Sequence, residues 1–153
     1  MPDLLAGTTV NALDTPPTVQ DIEAGSYTFT NTAFGVGSTG GTYVDCGVAF
    51  VAPTTGRIMV FWNAQILNSG AAGTTVVSFV IRTGGTVGSG TVVHAASDDD
   101  VVLCVGTDFQ RSNASRMVPS LTPGDTYNVR LEHRVSSGTG TALRRSVVII
   151  PCT

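Results

Sequence analysis

From Ser26 onward the chain is punctuated by glycine. Runs rich in Val and Thr recur about every ten residues, separated by turns such as "GVGSTGGT", "NSGAAG", "GGTVGSG", "TPGD" and "SSGTGTA". No window carries a sustained helical period. Val and Thr suit the pleated surface of a strand, where a branched side chain packs well. Many short strands in one chain of this kind imply an antiparallel sandwich or barrel. The clearest alternation is "TYNVRLEHRV". It puts Tyr127, Val129, Leu131, His133 and Val135 on one face, and Asn128, Arg130, Glu132 and Arg134 on the other. That pattern predicts one face in a core and one in water or at a polar contact.

One run breaks the alternation. "VAFVAPTTGRIMVFW" stops at Pro53, turns through Thr54, Thr55 and Gly56, and restarts at once. In the restarted strand Ile58, Val60, Trp62, Ala64 and Ile66 share one face, and Trp62 is expected in the core. Met59, Phe61 and Leu67 lie on the other face, with Asn63 and Gln65 between them. A strand bordering water should be polar on one side, so something must cover the second face.

Charged residues make up 12% of the 153, about half the usual share, so the surface must be neutral and polar. Such a surface suits a protein packed in an assembly. The net charge is −3, all eight basic residues are arginine, and no basic run with interleaved aromatics occurs, which argues against nucleic acid as a partner. No apolar stretch approaches the roughly 20 residues of a membrane span, so no membrane partner is expected. The three cysteines, Cys46, Cys104 and Cys152, have no zinc spacing. Together with an N-terminus unlike a signal peptide, they are read as free thiols made in a reducing cytoplasm, Cys46 and Cys104 as small core residues.

Residues 1–25 differ from the rest. Their apolar positions keep no period, and Pro16-Pro17 bars helix. An extended arm is expected here, with Leu4, Leu5, Val10, Leu13, Pro16 and Pro17 docking on a surface of the chain itself or of a neighbour.

Catalytic patterns are sparse. "GVGSTG" matches GxGxxG but leads into a strand rather than a helix, so it reads as a loop. "SDDD", Ser97 to Asp100, with Asp108 nearby, lacks the Gly and terminal Glu of a calcium loop and reads as a solvated turn. His133, alternating with apolar residues, reads as a core histidine donating to a backbone carbonyl. His94 with one of the neighbouring aspartates could imitate part of a triad, but no GxSxG elbow supplies a nucleophile. Glu23 and Glu132, the two glutamates, have no carboxylate partner for glycoside hydrolysis. "NAS", Asn113 to Ser115, is a glycosylation sequon by pattern alone. No cofactor, metal or catalytic residue is assigned.

Two segments resemble a known family. "VAFVAPTTGRIMVFWNAQI" is similar to the F-x-A-P-x-x-G-x-Y-x-F strand-turn-strand of C1q-like domains, relatives of the tumour-necrosis-factor jelly roll, through Phe50, Ala52, Pro53 and Gly56. "LTPGDTYNVRLEHRV" is similar to that family's later L-x-x-GD-x-V strand through Leu121, Gly124, Asp125 and Val129. The resemblance spans roughly residues 43–150 in strand order; Ile58 stands where the family often has Tyr, and collagen-like repeats are absent. The opening "LLAGTTVNALDTPPTV", the "VAPTTGR" turn and the late strand also resemble small virion proteins encoded by actinobacterial phages and prophages.

The resemblance implies an all-β jelly roll over residues 26–153 behind the 1–25 arm. It also implies a homotrimer, since such jelly rolls assemble through one sheet. Met59, Phe61 and Leu67 would then meet sister subunits. The plain alternative is that the arm covers that face of its own chain. The function expected is non-enzymatic: a capsid-surface decoration protein, assembled in the host bacterial cytoplasm and held by its arm on the major capsid protein or a tail protein of the same virion. The alternatives are a tail-fibre tip, spike tip or minor tail protein binding host glycan through its loops, and a bacterial binding module or small hydrolase.

Overall fold

The computed structural model describes residues 16–152. Eleven strands follow in chain order: β1 (Val19–Glu23), β2 (Tyr27–Phe29), β3 (Gly40–Gly41), β4 (Gly47–Val51), β5 (Ile58–Asn68), β6 (Thr74–Thr83), β7 (Val92–His94), β8 (Val102–Val105), β9 (Gln110–Val118), β10 (Thr126–Val135) and β11 (Gly140–Pro151). No helix occurs among the described residues. A six-stranded sheet has the order β3-β2-β11-β5-β9, with β1 also on β11. A five-stranded sheet has the order β4-β10-β6-β7, with β8 also on β6. Every pairing is antiparallel. The chain is a jelly-roll β-sandwich.

The restarted run after Gly56 and "TYNVRLEHRV" form strands as expected, at Ile58–Asn68 and Thr126–Val135. Of the expected 1–25 arm, the last part is not free: Val19–Glu23 pairs with β11 from Ile149 to Arg145 and belongs to the sandwich. Pro16 is half-buried and Pro17 exposed, while Leu4, Leu5, Val10 and Leu13 lie outside the described residues.

The inner faces of the two sheets supply one core. Ile58, Val60, Trp62, Ala64 and Ile66 of β5 meet Val77, Phe79 and Ile81 of β6 and Val129 and Leu131 of β10. Trp62 packs on Phe79 with ring centroids 4.9 Å apart, and its indole N–H donates to the Val77 carbonyl at 3.3 Å. Burying side chains of this size contributes about 1.5–3 kcal/mol each.

The two segments that carry the family likeness meet at one end of the sandwich. Ala52 N–H donates to the Asp125 carbonyl, and Gly124 N–H to the Ala52 carbonyl, each at 3.0 Å. Gly56 N–H closes the turn onto the Pro53 carbonyl at 2.9 Å, while Leu121 N–H donates to the Gly56 carbonyl at 2.9 Å. Gly56 has φ 63, a left-handed value, and a Cβ there would strike the Leu121 carbonyl oxygen. A-P-x-x-G and L-x-x-G-D are thus the two halves of one hydrogen-bonded corner.

The polar face of β10 is largely covered: Asn128 and Glu132 are buried, Arg130 and Arg134 half-buried. Asn128 donates to the Gly84 and Ser89 carbonyls at 2.9 and 3.1 Å and accepts from Gly88 N–H at 3.0 Å. This clasps the "GGTVGSG" loop back over the five-stranded sheet. Beside it, Glu132 pairs with Arg130 at 3.0 Å and Arg82 at 3.8 Å, and Arg130 reaches Asp45 at 3.7 Å. Arg134 holds Asp98 of the following turn. The chain's own loops therefore cover the middle of this face, where Val76, Ser78 and Val80 are buried, while Leu103 and Val105 on the β8 edge of the same face stay exposed.

Candidate functional site

The outer face of the six-stranded sheet is the opposite case. Along β5 the side chains of Met59, Phe61, Asn63, Gln65 and Leu67 leave the core. Met59 pairs with Ile150 on β11 and with Met117 on β9; Phe61 pairs with Val148 and Ser115. Same-face partners on neighbouring strands are in side-chain contact range. Phe61 is 40% exposed, Met117 47% and Ile150 39%. Met59 and Val148 are half-buried. Two adjacent rows, Met117–Met59–Ile150 and Ser115–Phe61–Val148, make one open apolar patch. Beside it lies a hollow of about 450 Å³ lined by Phe61, Asn63, Asn113, Ser115, Ser146 and Val148 among others.

Of the three residues singled out in the sequence, Met59 and Phe61 share this patch. Leu67, half-buried and paired with Thr141, lies six residues along the strand from Phe61, roughly 20 Å away. Met117, Val148 and Ile150 escaped the sequence reading. The signal of Val148 and Ile150 was present in "SVVIIP", a run apolar on both faces like the one in β5.

The titratable candidates resolve into structure. His133 bridges the sheets: Nδ1 lies 2.9 Å from the Tyr27 hydroxyl, and Nε2 lies 3.0 Å from the Gly37 carbonyl. Taking Nε2 as the protonated nitrogen, it donates to Gly37 and Nδ1 accepts from Tyr27. Gly35, in the "GVGSTG" loop, exchanges backbone hydrogen bonds with the same His133. That loop serves as a lid on a core histidine. Arg145 lies buried alongside, its guanidinium 4.5 Å from the Tyr27 ring centre, and Nη2 donates to the Val44 carbonyl at 2.9 Å. Burial raises the Tyr27 and Tyr43 hydroxyls well above the usual range and lowers His133 to about 4.

His94 does meet an aspartate. Its Nε2 lies 3.0 Å from Asp100, which also receives Arg116 at 3.3 Å, and its ring stacks on Phe79 at 4.8 Å. Among the described residues no hydroxyl or thiol hydrogen-bonds to His94. Asp100 joins a histidine from one sheet to an arginine from the other, and so fastens the "SDDD" turn. Asp98 turns to Arg134. Asn113 of the sequon sits exposed on the edge strand β9.

No protein-family model matches the chain, and no curated protein matches it. Among solved structures it is similar, at 14% identity and TM-score 0.47, to a chain of the T13 IBDV viral particle, over 90% of this chain and 32% of that one. It thus spans about a third of that chain's length. It is similar to Eiger TNF from S. frugiperda, at 11% identity and TM-score 0.46, over 90% of this chain and 94% of that one. It is also similar to the enzymatically active domain of tailspike protein 4 of bacteriophage CBA120, at 10% identity and TM-score 0.36, over 90% of this chain and 21% of that one.

Proposed function

We propose that the chain is a non-enzymatic structural subunit of a bacteriophage particle. It self-associates as a trimer through the open face of the six-stranded sheet, and its N-terminal segment tethers it to a capsid or tail protein of the same virion. The capsid surface is the favoured location, with assembly in the host cytoplasm. The observation that carries this reading is the contrast between the outer faces. The chain's own loops cover the polar row of β10, while the apolar rows around Met59 and Phe61 stay open. The likeness of the opening residues and the Pro53 turn to small phage proteins supports the virion setting. Three tethers on one body would hold far more tightly than one.

Light scattering on purified protein tests the association. The 40% of Phe61 left exposed is roughly 80 Å², which on burial contributes about 2 kcal/mol per contact. Wild type should run at three times 15.7 kDa, and Phe61→Asp at the mass of one chain. A wild type that stays monomeric at tens of micromolar would sink the trimer. Tethering is tested on undecorated heads with a truncation ending at Thr15, which leaves β1 intact. Equal binding by full-length and truncated protein would remove the tether.

A further inference from the structure

The far end of the same open face carries a different chemistry. Among the described residues, Arg82, Arg116, Arg130 and Arg134 each face a carboxylate. Exposed Arg57 and buried Arg145 face none, and neither do Arg111 and Arg144. Both line one hollow of about 220 Å³ with Ile22, Ala24, Arg145 and Ser146. No acidic residue lines it. Arg111 donates to Asn63 Oδ1 at 3.3 Å and Arg144 to Gln65 Oε1 at 3.4 Å, so each makes one side-chain hydrogen bond, to a neutral amide. A guanidinium has five N–H donors, so most remain unused.

The backbone is bent to build this arrangement. Between Leu143 and Ser146 the pairing of β11 with β5 slips by one residue. Arg144 occupies the extra position with φ 49, a left-handed value rare outside glycine, asparagine and aspartate. The bulge sends Arg144 outward and Arg145 into the core, the re-aiming that bulges perform beside functional sites. Ser146 completes the set. Its Oγ accepts from Asn63 Nδ2, which leaves its own hydrogen to donate.

We infer that this hollow binds an oxyanion, the carboxylate or phosphate group of a solute or sugar, between the guanidiniums of Arg111 and Arg144 with the Ser146 hydroxyl as a third donor. Two like charges sharing a small hollow repel, and a bound anion reverses the sign of that interaction. Ile22, 66% exposed, and Ala24 form an apolar wall that suits the body of a molecule behind its acidic group. All the lining residues come from one chain, at the end of the face away from the Met59 and Phe61 rows.

Titration of full-length ¹⁵N-labelled protein at constant ionic strength tests this, with the amides of Ile22 and Ser146 as reporters. The probes are inorganic phosphate and glucuronate, with uncharged glucose as control. Both anions should shift the reporters saturably. Tighter binding of glucuronate identifies an acidic sugar as the source; equal binding identifies a general oxyanion site. Arg111→Gln and Arg144→Gly should each weaken binding at least about tenfold. Arg144→Gly also relieves the left-handed strain, so its Tm should not fall, which separates lost binding from lost folding. Unsaturable shifts, equal shifts with glucose, or unchanged affinity in both variants would overturn the assignment.

Discussion

Acidification from pH 7 to pH 4 should weaken the join between the sheets, and the size of the loss follows from His133. This side chain is 1% exposed, on the core side of β10. Burial is the largest influence on its proton; the nearby Arg145 charge acts the same way, and the bond to the Gly37 carbonyl opposes both. The result is a folded-state pKa near 4 against an ordinary 6.5. Above pH 6.5 the ring is neutral in folded and unfolded chains alike. As the pH falls from 6.5 towards 4, only the unfolded chain takes up the proton, so stability is lost across that window and the loss levels off below it. About two and a half pKa units correspond to roughly 3 kcal/mol. Urea unfolding followed by the fluorescence of Trp62, the single tryptophan, measures this directly. Carboxylates titrate over part of the same range, so the comparison is with His133→Gln. That variant is less stable at pH 7 because Tyr27 and Gly37 lose their partner, but it lacks the histidine's share of the pH dependence. Wild type should lose roughly 3 kcal/mol more than the variant between pH 7 and pH 4. Parallel losses in the two proteins would refute the argument.

Two further outcomes follow from the core and the corner. Burial pushes the Cys46 thiol up to about 12 and raises Cys104 as well, whereas Cys152 is only half-buried. A thiol-disulfide reagent at pH 8 should therefore titrate one thiol in the folded protein and three after unfolding; fast reaction of a second thiol in the folded state would contradict the burial. Gly56→Ala forces a left-handed alanine against the Leu121 carbonyl and should cost about 2 kcal/mol or more, a fall of roughly 4–8 °C in Tm at this chain length. An unchanged Tm would mean that the corner bends without strain.

Much of the sandwich was legible because period-two alternation is a physical signature of one wet and one dry face. β10 appears at the residues its pattern marks, and β5 keeps Ile58 through Ile66 inside. Pattern could not say what covers a polar face. Asn128, Arg130 and Glu132 look like residues for water, yet Asn128 clasps a loop over the row and Glu132 pairs with Arg130 beneath it, while Arg134 pairs with Asp98 of the SDDD turn. β1 escaped because five residues beside two prolines carry little periodic information, and its partner β11 lies at the other end of the chain. The arginine hollow was illegible for a related reason. Arg111 and Arg144 come together only through the register of β9 on β5 and β5 on β11, and Arg144 turns outward only because of a bulge.

A solitary sandwich would be expected to leave its more polar face to water and fold its loops over the more apolar one. Here the charged row of β10, which takes part in four of the six ion pairs among the described residues, is covered by the chain's own loops, while the rows that hold Met59, Phe61, Met117 and Ile150 are open. Roofing a charged row is tolerable only because each charge beneath it has a partner. Leaving an apolar row open is unfavourable in a lone chain and becomes favourable once a second surface excludes the water. The open rows are what the proposed self-association would bury. The low charge of the whole chain fits the same logic: self-repulsion between copies is small, so little opposes the burial of those rows against one another.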